Sequence, residues 1–187
     1  MPRPHRDDEE ELKRVNVFCL HRTIYFMDSV DSSSVSEAIR WLDLLEKNSK
    51  QPIEIVLCSA GGECYAGLAL YDRIRHSKCP ICIVGTGCCM SMGFIIFLAG
   101  KYRYLFPNCI LLNHQISSGQ QGRLEDLKIE LEECKRIEQQ CLEIISERTG
   151  QTIKAIAKSI EKGNRYITPE QALKEGIAHK IIGYEKN

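Results

Sequence analysis

No apolar run in this 187-residue chain approaches the roughly 20 residues needed to span a bilayer, so the sequence predicts no membrane-crossing helix. An excess of charge is lacking too. The 25 Lys and Arg balance 25 Asp and Glu, which removes the overall field that would draw nucleic acid or an anionic membrane. The opening stretch, Met1-Pro-Arg-Pro-His-Arg-Asp-Asp-Glu-Glu-Glu11, has no apolar segment and does not read as a secretory signal. A phosphate-binding P-loop, an internal repeat and a low-complexity tract are all missing. Cys79-Pro-Ile-Cys82 is a lone C-x-x-C, open to reading as a redox pair or as half of a zinc site. A structural zinc needs a second pair at similar spacing, and the sequence has none, so neither metal nor cofactor is expected.

What is present is the composition of a globular protein, 43% hydrophobic and 27% charged. The length suits one domain with a full core, residues 15–187, behind a polar flexible tail at 1–14. Ten cysteines are many for this length, and most fall inside apolar runs, where a free thiol behaves as a small hydrophobe. Without a secretory signal, the expectation is reduced thiols and a cytoplasmic location.

Along the chain, strand-like and helix-like patterns alternate. Strands are predicted at 23–27, 53–57, 81–84, 102–106, 109–113 and 178–182, all short, apolar and bounded by turn residues. A helix opens at Asp31-Ser-Ser-Ser with Val35, Ile39, Leu42 and Leu45 on one face; others are predicted at 65–76, after Ser91, at 152–161 and at 168–175. The longest runs from the Gly-rich link Ser117–Gly122 to about Arg148, with Leu124, Leu127, Leu131, Cys134, Ile137, Cys141 and Ile145 along one stripe, and is stopped by Gly150. At 1.5 Å per residue it would reach about 40 Å, long enough to protrude. This alternation predicts an α/β fold with a mainly parallel sheet.

Three places could supply a hydrolytic site. Ser91 stands between an apolar strand, Ile81–Val84, and an apolar helix, Met92–Ala99, behind the small residues 85–89. A serine at such a bend faces the positive end of the helix, where free N–H groups can hold a developing anion. Its position also fits a plain helix N-cap. His114 closes a strand ahead of the flexible link and is a candidate general base; a structural or merely exposed histidine fits as well. Gly61-Gly62 follows a buried strand, where paired glycines let backbone N–H groups turn toward a ligand, or simply make a turn.

Taken together, these stretches resemble the ClpP family of self-compartmentalising serine proteases. The matching residues are Ser59-Ala-Gly-Gly62, Ala66-Gly-Leu-Ala-Leu-Tyr-Asp72, Cys88-Cys-Met-Ser-Met-Gly93, Leu98-Ala-Gly100, Phe106-Pro-Asn108, Asn113-His-Gln115, Gln121-Gly122, Thr149-Gly-Gln151, Ala172 and Glu175-Gly-Ile177, spread from about Thr23 to Ile182. The resemblance implies the ClpP/crotonase-like spiral of βαβ units with a protruding handle helix at about 116–149. It implies Ser91 as nucleophile, His114 as base, and the amides of Gly62 and Met92 as oxyanion hole. Gly61, Gln115, Ile116 and Ser117 would line the substrate. It also implies peptide or unfolded-protein substrates, heptameric rings that stack through their handles, and an AAA+ unfoldase of the ClpX or ClpA kind as partner.

The chain departs from that family at the third triad position. Where the family has Asp before Arg and an aromatic residue, this sequence reads Gly163-Asn164-Arg165-Tyr166. Asn accepts the imidazole N–H through its carbonyl but carries no charge to stabilise the imidazolium; in one serine protease this change lowers turnover about 10⁴-fold. Nearby Glu161 is a candidate replacement for the missing charge. Two readings follow, a slow or context-activated peptidase and a catalytically impaired ring subunit. A crotonase-like acyl-CoA enzyme shares the core but gives Ser91 no nucleophilic role. Ala60 stands where the family has Pro, Cys58 where it has Asn, and Gly163 replaces a charged residue linked to ring-to-ring contact.

Overall fold

The structure, a computed structural model, describes residues 17–119 and 121–183. The tail expected at 1–14 lies outside them. In chain order the elements are β1 (Val17–Leu20), β2 (Thr23–Phe26), α1 (Ser32–Asn48), β3 (Ile53–Ser59), α2 (Cys64–Arg75), β4 (Ile81–Met90), α3 (Met92–Ala99), β5 (Tyr102–Leu105), β6 (Ile110–Asn113), α4 (Leu124–Thr149), α5 (Ile153–Ile160), β7 (Arg165–Ile167), α6 (Pro169–Lys174) and β8 (Lys180–Ile181). The strand–helix alternation expected from sequence is present. Differences are local: β1 and β7 were not foreseen, the expected strand 178–182 shrinks to β8, and β4 runs on to Met90 instead of stopping at Val84.

Local chemistry sets several boundaries. Asp31 starts α1 by accepting the amides of Ser33 and Ser34, both at 2.8 Å, while Ser34 Oγ accepts the Asp31 amide at 3.1 Å. Those amide contacts hold the Asp31 carboxyl below its usual range. Thr168 and Gln171 form a matching box at the start of α6, with Pro169 in its first turn. Gly150 ends α4 in the left-handed region at φ 76°.

The described strands make one sheet ordered β1-β2-β3-β4-β5-β8, parallel except for β1. It forks at β4. The first half of β4 pairs with β5 through Cys82–Gly85; the second half pairs with β6 through Cys88–Met90. Between the halves the register to β3 slips, so that Leu57 faces Gly85 while Ser59 faces Cys89. The extra residues form a bulge around Gly87, at φ 61°. β7 then adds antiparallel to β6, with Leu111, Leu112 and Asn113 opposite Ile167, Tyr166 and Arg165.

At the centre lies α3. All eight of its residues, Met92–Ala99, are buried, as expected of a helix apolar all round. It packs against α2, β4 and the C-terminal half of α4. Its Phe94 and Phe97 join Ile24, Phe26, Leu57 and Ile83 in the core, each burial contributing about 1.5–3 kcal/mol. α4 has 26 residues and so extends about 39 Å. Its buried residues, Ile137, Leu142, Ile144 and Ile145, all fall in the second half, while Leu124, Ile129 and Leu131 in the first half stand exposed. The apolar stripe is therefore covered over only half its length, and the helix projects. No helix among the described residues is long and apolar enough to cross a membrane.

One buried cation ties the last elements to the core. Arg103, 2% exposed, donates to the carbonyls of Ile177 (2.6 Å), Gly176 (3.0 Å), Arg148 (3.1 Å) and Gly100 (3.3 Å). Burial, with the Arg148 charge adding to it, pulls its pKa down to about 10, so it stays protonated near neutrality. Arg103→Met would keep the volume but leave four carbonyls without that donor. We expect a loss of about 2–4 kcal/mol, read as a lower urea midpoint at unchanged slope.

Candidate active site

Ser91 forms the bend from β4 into α3 at φ 53° and ψ −123°. That region suits glycine, and holding another residue there costs of order 1–3 kcal/mol. Although Ser91 occupies the N-cap position, its side chain makes no capping hydrogen bond. The plain-cap explanation therefore does not account for it. The bend is fixed by backbone contacts instead. Ser91 N–H donates to the Leu112 carbonyl at 3.0 Å, and its own carbonyl accepts the amides of Phe94 (2.9 Å) and Ile95 (3.3 Å).

A second turn presses on this bend. The buried Ser59 Oγ accepts the Gly61 amide at 3.2 Å. The Gly61 carbonyl accepts the Val30 amide at 2.8 Å, and the Val30 carbonyl accepts the Glu63 amide at 2.7 Å. A Cβ on Gly61 would lie 2.6 Å from Ser91 Cβ and 2.8 Å from the Met90 carbonyl, and one on Gly62 would lie 2.1 Å from the Val30 carbonyl. Only glycine lets the two turns approach this closely. Among the described residues, neither the Gly62 nor the Met92 amide has a hydrogen-bond acceptor. The Met92 amide is the first of α3, at the helix's positive end.

Ser91, Met92, Gly62, His114, Gln115, Ile116 and Ser117 line one cavity. Most of the residues singled out from sequence thus meet in space. Gly61 lies behind the wall, against Ser91, rather than on it. Asn164 is exposed and does not line the cavity. Its position follows from the sheet: Asn113 pairs with Arg165 in the antiparallel β6–β7 ladder. The ladder ends at that pair, with His114 directly after β6 and Asn164 directly before β7. The Arg165–Glu175 ion pair anchors this strand to the turn after α6. Glu161 is exposed at the end of α5 and does not line the cavity. Among the described residues no hydrogen bond joins the side chains of Ser91, His114 and Asn164, as is common in sites without substrate.

The opposite wall was not read from sequence as part of the site. It consists of Cys64 from α2, Ile95 from α3, Glu138, Cys141, Leu142 and Ile145 from α4, and Ile160 from α5. The α4 stripe signalled a buried face but not what that face would cover. Burial, with Cys64 and Glu138 adding to it, pushes the Cys141 thiol up to about 12; burial, then Cys134, raises Cys64 as well. Both thiols are therefore neutral near pH 7. The Cys79 and Cys82 thiols are free, and among the described residues no group of three or more His, Cys, Asp or Glu is placed to hold a metal.

A family model described as Clp protease matches residues 6–185. The chain belongs to the Clp protease family. It is 31% identical over 164 residues to the ATP-dependent Clp protease proteolytic subunit of Deinococcus radiodurans, covering 86% of this chain and 80% of that protein. An asparagine-to-aspartate mutant of ClpP1 from Listeria monocytogenes superposes with a TM-score of 0.81 at 29% identity, over 88% of this chain and 92% of its own. The ClpP-type fold read from the sequence is therefore present, and the chain is a serine-type peptidase by family.

Because Ser91 is held in a glycine-like conformation, Ser91→Gly should stabilise the fold by about 1 kcal/mol while removing the hydroxyl. Thermal unfolding would show a raised midpoint; a lowered one would mean that the bend is not strained.

Proposed function

We propose that the chain is a ClpP-type serine endopeptidase whose nucleophile is Ser91. The observation that carries this reading is a strained serine, free of any capping bond, in one cavity with His114 and two unpartnered amides. His114 takes the Ser91 proton as the hydroxyl oxygen attacks the scissile carbonyl, and the Gly62 and Met92 amides hold the oxyanion. His114 then gives the proton to the leaving amine, and the C–N bond breaks. Water, deprotonated by the same imidazole, releases the acyl group and restores the serine. Asn164 accepts the imidazole N–H and fixes its tautomer, without the charge that an aspartate would add.

Gly61 shapes the wall behind the nucleophile, while exposed Gln115 and Ser117, with half-buried Ile116 between them, offer a surface along which a peptide can lie. The half-uncovered α4 supports self-association into heptameric rings that stack through this helix. The Deinococcus relative is named as a subunit of an ATP-dependent protease. This chain has no P-loop, so an AAA+ unfoldase would supply ATP hydrolysis and deliver unfolded protein to a cytoplasmic chamber. One observation favours the impaired-subunit reading: Asn164 is uncharged and lies outside the cavity.

A fluorophosphonate probe separates the two. Labelling of assembled protein at Ser91, lost in His114→Ala, is the expected result; absent labelling in assembled material would favour the impaired subunit. Asn164→Asp should raise short-peptide turnover by at least tenfold, since it restores the missing charge. An unchanged or lower rate would mean that His114 is not oriented from this position. Native mass should fall at one or two heptamers.

A further inference from the structure

The cavity that holds Ser91 carries one charged side chain, and the mechanism does not use it. Glu138 sits on α4 with Cys141, Leu142 and Ile145, the i, i+3, i+4, i+7 positions of one helix face, all turned to the cavity. It is half-buried. Nearby carboxylates on α4 are occupied: Glu132 by Lys135 at 2.8 Å, Glu133 by Arg136 at 2.7 Å and by the Tyr65 hydroxyl at 2.5 Å. The Arg136 and Tyr65 contacts hold the Glu133 carboxyl down to about 2. Glu143 accepts from Gln139 at 2.8 Å. Among the described residues Glu138 has neither an ion-pair nor a hydrogen-bond partner.

The surroundings leave that charge unanswered. Cys64 and Cys141 are neutral thiols, and Met92, Ile95, Ile116, Leu142, Ile145 and Ile160 are apolar. Among the described residues no Lys or Arg lines the cavity. A wall of aliphatic side chains ending in one carboxylate matches a side chain with an apolar stem and a cationic tip. Lysine and arginine have that form, burying their methylenes while presenting the charge.

We infer that Glu138 makes this peptidase selective for a lysine or arginine on the residue that supplies the scissile carbonyl. This rests on Ser91 being the nucleophile. The acyl residue is the one bonded to Ser91 during the reaction, so its side chain enters the cavity that Ser91 and Glu138 share. Glutamate then forms a charge-assisted hydrogen bond with the ammonium or guanidinium, while a neutral aliphatic side chain of equal length leaves the carboxylate facing apolar surface.

The test uses full-length assembled protein, wild type and Asn164→Asp, with peptidyl-coumarin substrates differing only in the residue before the coumarin: lysine, arginine, norleucine or glutamate. Lysine and arginine should exceed norleucine in kcat/KM by about tenfold or more, the ratio expected of one charge-assisted contact. Glu138→Gln should bring that ratio near unity, and Glu138→Lys should turn it toward glutamate. Circular dichroism should match wild type in both variants. A preference for norleucine in the unmodified protein, or a ratio that Glu138→Gln leaves unchanged, overturns the inference alone. No hydrolysis of any substrate by either protein overturns the catalytic assignment together with the inference.

Discussion

Two turns of the chain meet closer than any side chain would permit, and the site is organised around that meeting. The Gly61 backbone runs against Ser91 Cβ, the Met90 carbonyl and the Met92 amide. Ser59 pins the first turn through its hydroxyl, and Leu112 pins the second through its carbonyl. With both held, the free amides of Gly62 and Met92 stay fixed relative to the Ser91 hydroxyl. A site of this kind depends on donors that need not reorganise when charge develops. The strain at Ser91 persists because buried neighbours surround it: Gly61 behind, and α3, buried on every side, ahead.

The fold divides core support from the cavity wall. α1, α2 and the parallel strands bury the apolar core and hold the turns in place. α4 does two things at once. Its second half closes the cavity with Cys141, Leu142 and Ile145, and its first half presents Leu124, Ile129 and Leu131 to the outside. The Tyr65–Glu133–Arg136 cluster joins the start of α2 to α4 near the point where burial gives way to exposure.

Much of this was legible in the sequence, for physical reasons. Apolar periodicity and capping residues marked the main strands and helices, and the Asp31 and Gly150 boundaries fell where their chemistry put them. The extension of β4 was hidden by Gly85 and Gly87, which read as turn residues; the ladders to β3 and β6 override that preference, with a bulge absorbing the misfit. β7 is only three residues long, too short for a pattern, and exists because β6 offers it an edge. That Ser91, His114, Gly62 and Met92 line one cavity followed from the motifs on which the resemblance rests. Glu138 was not legible: on the sequence it is one acid among many on a charged helix, and only the packing of α4 against α3 and α5 gives it a cavity to face.

The fork in β4 has one more implication. Ser91 and the Gly62 and Met92 amides sit where β3, β4 and α3 meet, whereas His114 directly follows β6 and Asn164 directly precedes β7. Among the described residues the β6–β7 ribbon pairs with β4 at three positions, Cys88 to Met90, and through the Ser91–Leu112 hydrogen bond. Leu111 and Ile167 of that ribbon are buried in the same core as the rest of the sheet. The spacing between that hydroxyl and that imidazole is therefore set by the bulge that lets one strand serve two neighbours in turn.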